Sequence, residues 1–105
     1  MRRDVKCYNK TADYTIKASE SGACFVADAV DLTFTLPAGE AGLNYSIVVR
    51  TLSATTGLIV DGNGSETING AATLTNTAGT DARGDGMEIW WDGAEWVGIE
   101  EGTWA

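Results

Sequence analysis

The tryptophan-rich C-terminal segment constrains the fold of this chain more than any other part of the sequence. All four tryptophans lie in residues 90–104. Asp92-Gly93 separates two apolar stretches in that segment, and this arrangement is a strong local signal for a β-hairpin. The pattern therefore predicts one strand over residues 87–91 and a second strand over residues 95–99.

Two of the tryptophans, Trp90 and Trp91, are adjacent. Neighbouring residues of a strand point to opposite faces of the sheet, so the two rings cannot both enter one core. Counting along the strand places Trp91 on the core-facing side with Met87 and Ile89. A large aromatic ring buries on the order of 150–250 Å² when it packs, so we expect the outward ring, Trp90, to lie near a second layer or another subunit. This alternation is the main sequence argument for an oligomer.

The rest of the chain consists of short β-type runs separated by turn residues. The clearest alternation places Leu32, Phe34 and Leu36 on one side of a strand, facing the core. Helix signals are nearly absent, and no repeat of roughly 20–50 residues indicates a solenoid. The sequence predicts an all-β fold, a single-domain antiparallel β-sandwich or barrel of about eight to ten short strands. The domain spans residues 1–105, with a short, extended arm at residues 1–4.

The charge of the chain argues against two classes of partner. The sequence has 7 Lys and Arg against 15 Asp and Glu, a net charge of −8. A nucleic-acid binder neutralises phosphates with Lys and Arg, so we expect no nucleic acid and no anionic membrane as partner. The plainer explanation of the acidic surface is solubility. No signal peptide and no apolar run long enough for a membrane span are present in the sequence, so we expect assembly in the cytosol.

The residue types argue against catalysis. Histidine is absent, which removes the commonest general base and the commonest metal ligand. We therefore expect no enzyme activity, no catalytic residue, no cofactor and no metal site. Cys7 and Cys24 both lie in strand-like runs. A buried pair of thiols is favoured, and a disulfide is the alternative if the two strands are neighbours.

Three other patterns have a functional and a plainer explanation. Residues 61–66 begin like a calcium-binding loop, but Ala72 stands where that loop needs Glu, so a turn is favoured. Residues 83–85 spell Arg-Gly-Asp, the tripeptide that integrins bind, and a chance occurrence is favoured. The acidic C-terminal part could supply the carboxylate pair of a glycosidase, but solvated positions on edge strands explain these residues better. Asn76 is expected in the loop that precedes the hairpin.

Several elements together carry a family resemblance. They are a strand ending in Leu36-Pro37, a linker of small residues at 38–42, a second long strand, the element Thr67-Ile-Asn-Gly70, the motif Asp92-Gly-Ala-Glu-Trp96 and the ending Gly102-Thr-Trp104. Over roughly residues 12–105 the chain resembles small β domains of tailed-bacteriophage virion proteins. Such domains occur as free-standing decoration proteins of the head and as parts of tail fibres and spikes.

The resemblance implies a capsid decoration, or cement, protein. Such a protein is expected to be a homotrimer on the lattice of the major capsid protein, located at the virion surface after assembly in the host bacterial cytoplasm. The alternative is a tail-fibre or spike module that binds a receptor carbohydrate. Tryptophan is enriched at interface hot spots, and a basic N-terminus suits an acidic capsid surface. The expected interface residues are Arg2, Arg3, Trp90, Trp96 and Trp104.

Overall fold

Strands and turns make up almost all of the structure. The computed structural model describes residues 5–105. The strands in this range are β1 (Cys7–Lys10), β2 (Tyr14–Thr15), β3 (Cys24–Ala27), β4 (Thr33–Thr35), β5 (Asn44–Val49), β6 (Gly57–Asp61), β7 (Thr73–Thr77), β8 (Gly86–Trp91) and β9 (Trp96–Glu101). A single 3-10 turn lies at Ala18–Glu20. The predicted all-β class is confirmed.

The strands form two mixed sheets. One has five strands in the order β1-β3-β5-β8-β9, and the other has four in the order β2-β4-β6-β7. From β1 to β6 the chain changes sheet after every strand, and neighbouring strands of this part are parallel. The pairings β6–β7, β5–β8 and β8–β9 are antiparallel. The prediction of a purely antiparallel fold is therefore wrong, because each early strand pairs with the strand after next.

Residues 7–61 make three stacked coils, which is the arrangement of a short solenoid. In the five-stranded sheet Cys7 of β1 lies opposite Cys24 of β3, and Cys24 lies opposite Ser46 of β5. The steps from residue 7 to 24 and from 24 to 46 are unequal, because the connections between the coils differ in length. No regular period therefore appears in the sequence, and the expectation that the chain forms no solenoid is wrong for this part.

The two sheets share one hydrophobic core. Every strand from β3 to β9 contributes a buried apolar side chain, and Tyr8 and Tyr14 of the first coil pack against the cluster. The rings of Phe25 in β3 and Phe34 in β4 meet edge-on across the sheets, with centroids 6.4 Å apart. Full burial of one such side chain stabilises a fold by about 1.5–3 kcal/mol. The predicted inward positions of residues 32, 34 and 36 are confirmed.

Strand β7 forms hydrogen bonds with the last residues of the chain. Asn76 lies in this strand and is fully buried, so its predicted position in a loop is wrong. Its amide nitrogen donates to the carboxylate of Asp85 and to the carbonyl of Thr103, at 3.0 Å each. The backbones of Thr75 and Ala105 exchange two hydrogen bonds of 2.7 and 2.9 Å. Ala105 thus hydrogen-bonds to the β7 edge of the four-stranded sheet.

Candidate interaction surface

The predicted C-terminal hairpin is confirmed and joins β8 to β9. Trp91 stands opposite Trp96 at its closed end. In the turn the carboxylate of Asp92 accepts the amides of Glu95 and Ala94, at 2.8 Å each. These hydrogen bonds favour the charged form and hold the pKa of Asp92 below its ordinary value. The second strand begins at residue 96 rather than 95, because Glu95 belongs to the turn.

The four tryptophans lie in different environments. Trp91 packs edge-on against Trp96, with ring centroids 5.5 Å apart, and the latter has no exposed surface. Trp90 points away from the core and leaves 41% of its surface exposed. Trp104 is half-buried, and its indole nitrogen donates to the carbonyl of Glu101 at 3.0 Å. The structure confirms the predicted division between an inward Trp91 and an outward Trp90.

The predicted interface residues are therefore not one surface. Trp96 is a core residue, and a side chain with no exposed surface cannot contact a partner while the fold is intact. Arg2 and Arg3 lie outside the residues that the structure describes. Trp90 and Trp104 remain at the surface, at opposite ends of the hairpin. Of the three expected interface residues that the structure describes, Trp90 is the one that a sheet face presents directly to solvent.

The outward side of the five-stranded sheet forms a continuous surface, which we call the outer face. Its side chains alternate with core-facing ones along each strand. The register of the strands places them in three rows across the sheet. The rows are Cys7–Cys24–Ser46–Glu88–Ile99, Asn9–Val26–Val48–Gly86–Glu101 and Asn44–Trp90–Val97.

The outer face carries an apolar patch on β8 and β9. Trp90 pairs with Val97 across the two strands, and Ile99 on the same face is 58% exposed. Half-buried Val26 and Val48 extend the apolar surface over β3 and β5. Trp90 has Val97 on one side and Asn44 on the other, and an exposed tryptophan beside aliphatic side chains is typical of an interface hot spot. This apolar patch is the feature of the outer face that the proposal below uses.

A shallow depression of about 240 Å³ adjoins this patch. Gly86 has no side chain to fill the space, and the walls include Ser46, Glu88, Ile99 and Glu101. Two carboxylates and a hydroxyl thus stand beside an aliphatic side chain. The depression favours a partner group that combines apolar surface with positive charge or hydrogen-bond donors.

The outward side of the four-stranded sheet has a different character. Its side chains on β2, β4 and β7 are all threonine: Thr15, Thr33, Thr35, Thr73, Thr75 and Thr77. Within residues 5–105, the large hydrophobic side chains that are exposed on strands are Trp90 and Ile99, and both belong to the outer face. The contrast between the two sheets selects the outer face as the candidate interaction surface.

The outer edge of β9 is covered by residues 67–69, which the sequence did not single out for this role. The Trp96 N–H donates to the Thr67 carbonyl and the Asn69 N–H donates to the Trp96 carbonyl, at 2.9 Å each, and the Asn69 side chain extends this pairing to Gly98. The amide nitrogen of Asn69 donates to the carbonyl of Gly98 at 3.1 Å, and its amide oxygen accepts the Gly98 N–H at 2.9 Å. The side chain thereby imitates a neighbouring strand. Asn69 has a positive φ of 49°, which Asn tolerates better than most residues. No local pattern reveals this pairing, because Gly98 lies 29 positions further along the chain.

The remaining motifs have structural roles. The carboxylate of Asp85 accepts hydrogen bonds from Asn76 and from the amide of Ala82, so the Arg-Gly-Asp sequence turns its acid inward. Glu66, in the segment that begins like a calcium loop, accepts the amide of Gly39 with both carboxylate oxygens, at 3.0 and 3.1 Å.

In the described part of the chain no cluster of three or more His, Cys, Asp and Glu side chains is arranged to hold a metal ion. No helix in residues 5–105 is long and apolar enough to cross a membrane.

The two cysteines lie on the outer face, on adjacent strands. Cys7 is exposed and Cys24 is half-buried, and both are free thiols. The prediction of a buried pair is wrong for Cys7, because β1 is an edge strand. Burial, together with the neighbouring Cys7, raises the pKa of the Cys24 thiol to about 11. The neighbouring strands that the disulfide alternative required are present.

Comparisons of the chain with protein-family models, with curated proteins and with solved structures found no match.

Proposed function

We propose that this protein is a structural virion protein of a tailed bacteriophage, a decoration protein that binds the major capsid lattice and stabilises the head. The observation that carries the proposal is the outer face, where Trp90 and Ile99 expose a large apolar area on two paired strands. The opposite side carries mainly threonine, with half-buried Ile59 and Asp61 on β6, and such a polar face suits a surface that stays in water. The resemblance over roughly residues 12–105 supports the virion class.

The proposed mechanism is non-covalent clamping. A protein that binds the assembled lattice, but not its dissociated subunits, stabilises the lattice by mass action. Many weak joints on one shell add through multivalency, so no single contact has to be strong. Glu88 and Glu101 flank the apolar part of the outer face, so the complementary capsid surface is expected to carry Lys or Arg. A homotrimer at a symmetry axis of the lattice is part of the proposal.

The test is co-sedimentation of the purified protein with heads assembled from the major capsid protein of the same genome. The variants Trp90→Ser and Ile99→Ser are expected to bind about 10-fold or more weakly, because hot-spot truncations typically cost at least about 2 kcal/mol. Leu52→Ser is the matched control, since Leu52 is a comparably exposed hydrophobic residue in the connection between β5 and β6, outside the strands of the outer face. It should bind like the wild type.

Two results would overturn the decoration proposal. One is a protein that stays monomeric at micromolar concentration in sedimentation and does not bind heads. The other is equal weakening by Leu52→Ser and Trp90→Ser, which would indicate nonspecific adhesion through any exposed apolar residue.

A second candidate function is carbohydrate binding in a tail fibre or spike. The depression on the outer face favours it, because Ser46, Glu88 and Glu101 offer hydrogen-bond partners for hydroxyl groups on the same face as the exposed indole ring of Trp90. This candidate predicts a saturable change of tryptophan fluorescence when host-surface glycans are added, and loss of that change in Trp90→Ser. The decoration proposal predicts no such change. Neither proposal assigns an enzyme activity to the chain.

A further inference from the structure

The thiols of Cys7 and Cys24 are placed side by side by the stacking of the first two coils. The two residues are direct register partners in parallel strands, and both side chains project from the outer face. Two backbone hydrogen bonds hold the strands on either side of the pair: the Cys24 amide donates to the Lys6 carbonyl at 2.8 Å, and the Asp28 amide donates to the Lys10 carbonyl at 2.9 Å.

We propose that Cys7 and Cys24 form a redox-active dithiol, which closes to a disulfide by exchange with a small-molecule disulfide and ties β1 to β3. The proposal is independent of the function assigned to the outer face.

The spacing of the strands permits this bond with a small adjustment. Neighbouring strands lie about 4.7–4.9 Å apart, which is inside the Cα separation of about 4.4–6.8 Å that disulfides span. The Cβ atoms of a disulfide lie closer, at about 3.5–4.5 Å, so the strands have to approach slightly. β1 is a four-residue edge strand with β3 as its strand partner, so it can make this movement. The residual strain makes the bond readily reducible.

The different environments of the two thiols set the order of the steps. Exposed Cys7, as the thiolate, attacks one sulfur of the external disulfide and expels the first thiolate. Cys24 then loses its proton to solvent and attacks the Cys7 sulfur, which expels the second thiolate. The protein loses two protons and two electrons, and the external disulfide takes them up to become two thiols. Cys24 is shielded and protonated at neutral pH, so it resolves the mixed disulfide rather than forming it.

The test is incubation of the reduced wild-type protein with oxidised glutathione, followed by intact-mass measurement. The expected product is a monomer that is lighter by about 2 Da, which dithiothreitol returns to the starting mass. Hydrogen exchange of the β1 amides should slow severalfold on oxidation and recover on reduction. The Cys24→Ser variant should stop at one glutathione attached to Cys7, and its β1 amides should not change.

Three results would overturn the proposal. They are wild-type protein that keeps glutathione on Cys7, wild-type protein that does not react, and disulfide-linked dimers as the main product. The bifunctional probe phenylarsine oxide supplies a check that does not depend on strain, because it bridges two neighbouring thiols without oxidation. It should bind the wild type in a one-to-one complex that Cys7→Ser and Cys24→Ser do not form, and equal binding to all three would contradict the adjacent placement of the thiols.

Discussion

A single carboxylate organises the loop that leads into β6. Asp31 has a positive φ of 54°. Its carboxylate oxygen Oδ1 accepts the amides of Gly57, Thr56 and Thr55 at 3.0, 2.9 and 3.2 Å, and the Thr55 hydroxyl donates to Oδ2 at 3.1 Å. These hydrogen bonds favour the ionised form and lower the pKa of Asp31 to about 2. The donors lie 24 to 26 positions further along the chain, so no local pattern could reveal this role.

The lowered pKa of Asp31 predicts a specific acid sensitivity. The folded pKa of about 2 lies below the ordinary value of 3.8. The ionised group therefore contributes stability that is fully present above about pH 4 and is lost as the pH falls toward 2. Asp31→Asn keeps a residue that tolerates positive φ but removes the charge. Urea unfolding should show a stability gap between wild type and variant at pH 6 that narrows steadily toward pH 2.

The control for this measurement is Glu40→Gln, which removes an exposed carboxylate elsewhere on the surface. Its stability should follow the wild-type curve at every pH. A gap for Asp31→Asn that stays constant from pH 6 to pH 2 would contradict the ionised Asp31 as its origin.

Gly39 lies against the ring of Trp91, which packs on the edge of the core. A Cβ atom at residue 39 would lie 2.2 Å from Trp91 Cε3, well inside van der Waals contact. Gly39→Ala should therefore displace the indole and destabilise the fold by about 1–3 kcal/mol, the usual cost of overpacking. Urea unfolding followed by tryptophan fluorescence measures both effects. Ala41→Ser, an exposed change in the same connection, should leave both unchanged, and equal stability of Gly39→Ala and wild type would refute the steric argument.

Some strands and pairings can be predicted from the sequence and others cannot. The hairpin of β8 and β9 was predictable because its signals are local: alternation around Trp90 and Trp91, and Asp92-Gly93 at the turn. The parallel pairing of β1, β3 and β5 was not predictable, because it joins segments through connections of unequal length. The inward and outward sides of the strands followed from alternation, but the rows of the outer face required the register.

The Gly98 part of the β9 edge is protected by the Asn69 side chain. Asn69→Gly keeps the backbone free to adopt the positive φ but removes both hydrogen bonds to Gly98 and the one to the exposed Glu100 carboxylate. We expect a loss of about 1–3 kcal/mol, since each of the two bonds to Gly98 is worth roughly 0.5–1.5 kcal/mol. The freed edge should also promote concentration-dependent association, because unpaired strand edges recruit further strands. Thermal unfolding and analytical ultracentrifugation measure the two effects.

Ser65→Gly is the matched control, because it adds the same unfolded-state freedom at an exposed turn position. It should destabilise the protein less and should not promote association. If Asn69→Gly behaves like Ser65→Gly in both thermal unfolding and ultracentrifugation, the Asn69 side chain does not protect the edge of β9.

At the scale of the whole molecule, the coils stack in one direction and end on the antiparallel hairpin. β5 has strand partners on both sides, whereas β2 is a two-residue edge strand paired with β4. Stability should therefore fall from the middle of the stack toward the first coil. Native-state hydrogen exchange should find the β5 amides exchanging only through global unfolding and the β2 amides exchanging through local opening. Uniform exchange rates in β2 and β5 would contradict this gradient.

The unequal lengths of the connections between the coils indicate where the chain can accept insertions during evolution. An insertion in the connection after β5, around residues 51–56, lengthens a surface loop and leaves the inward and outward sides of every strand unchanged. A one-residue insertion in the turn between Trp91 and Trp96 instead shifts the register of β9 and exchanges its two sides. Relatives of this protein are therefore expected to vary in length at the connections while the hairpin keeps its spacing. The connections can therefore change in length while the strands of the outer face keep their register.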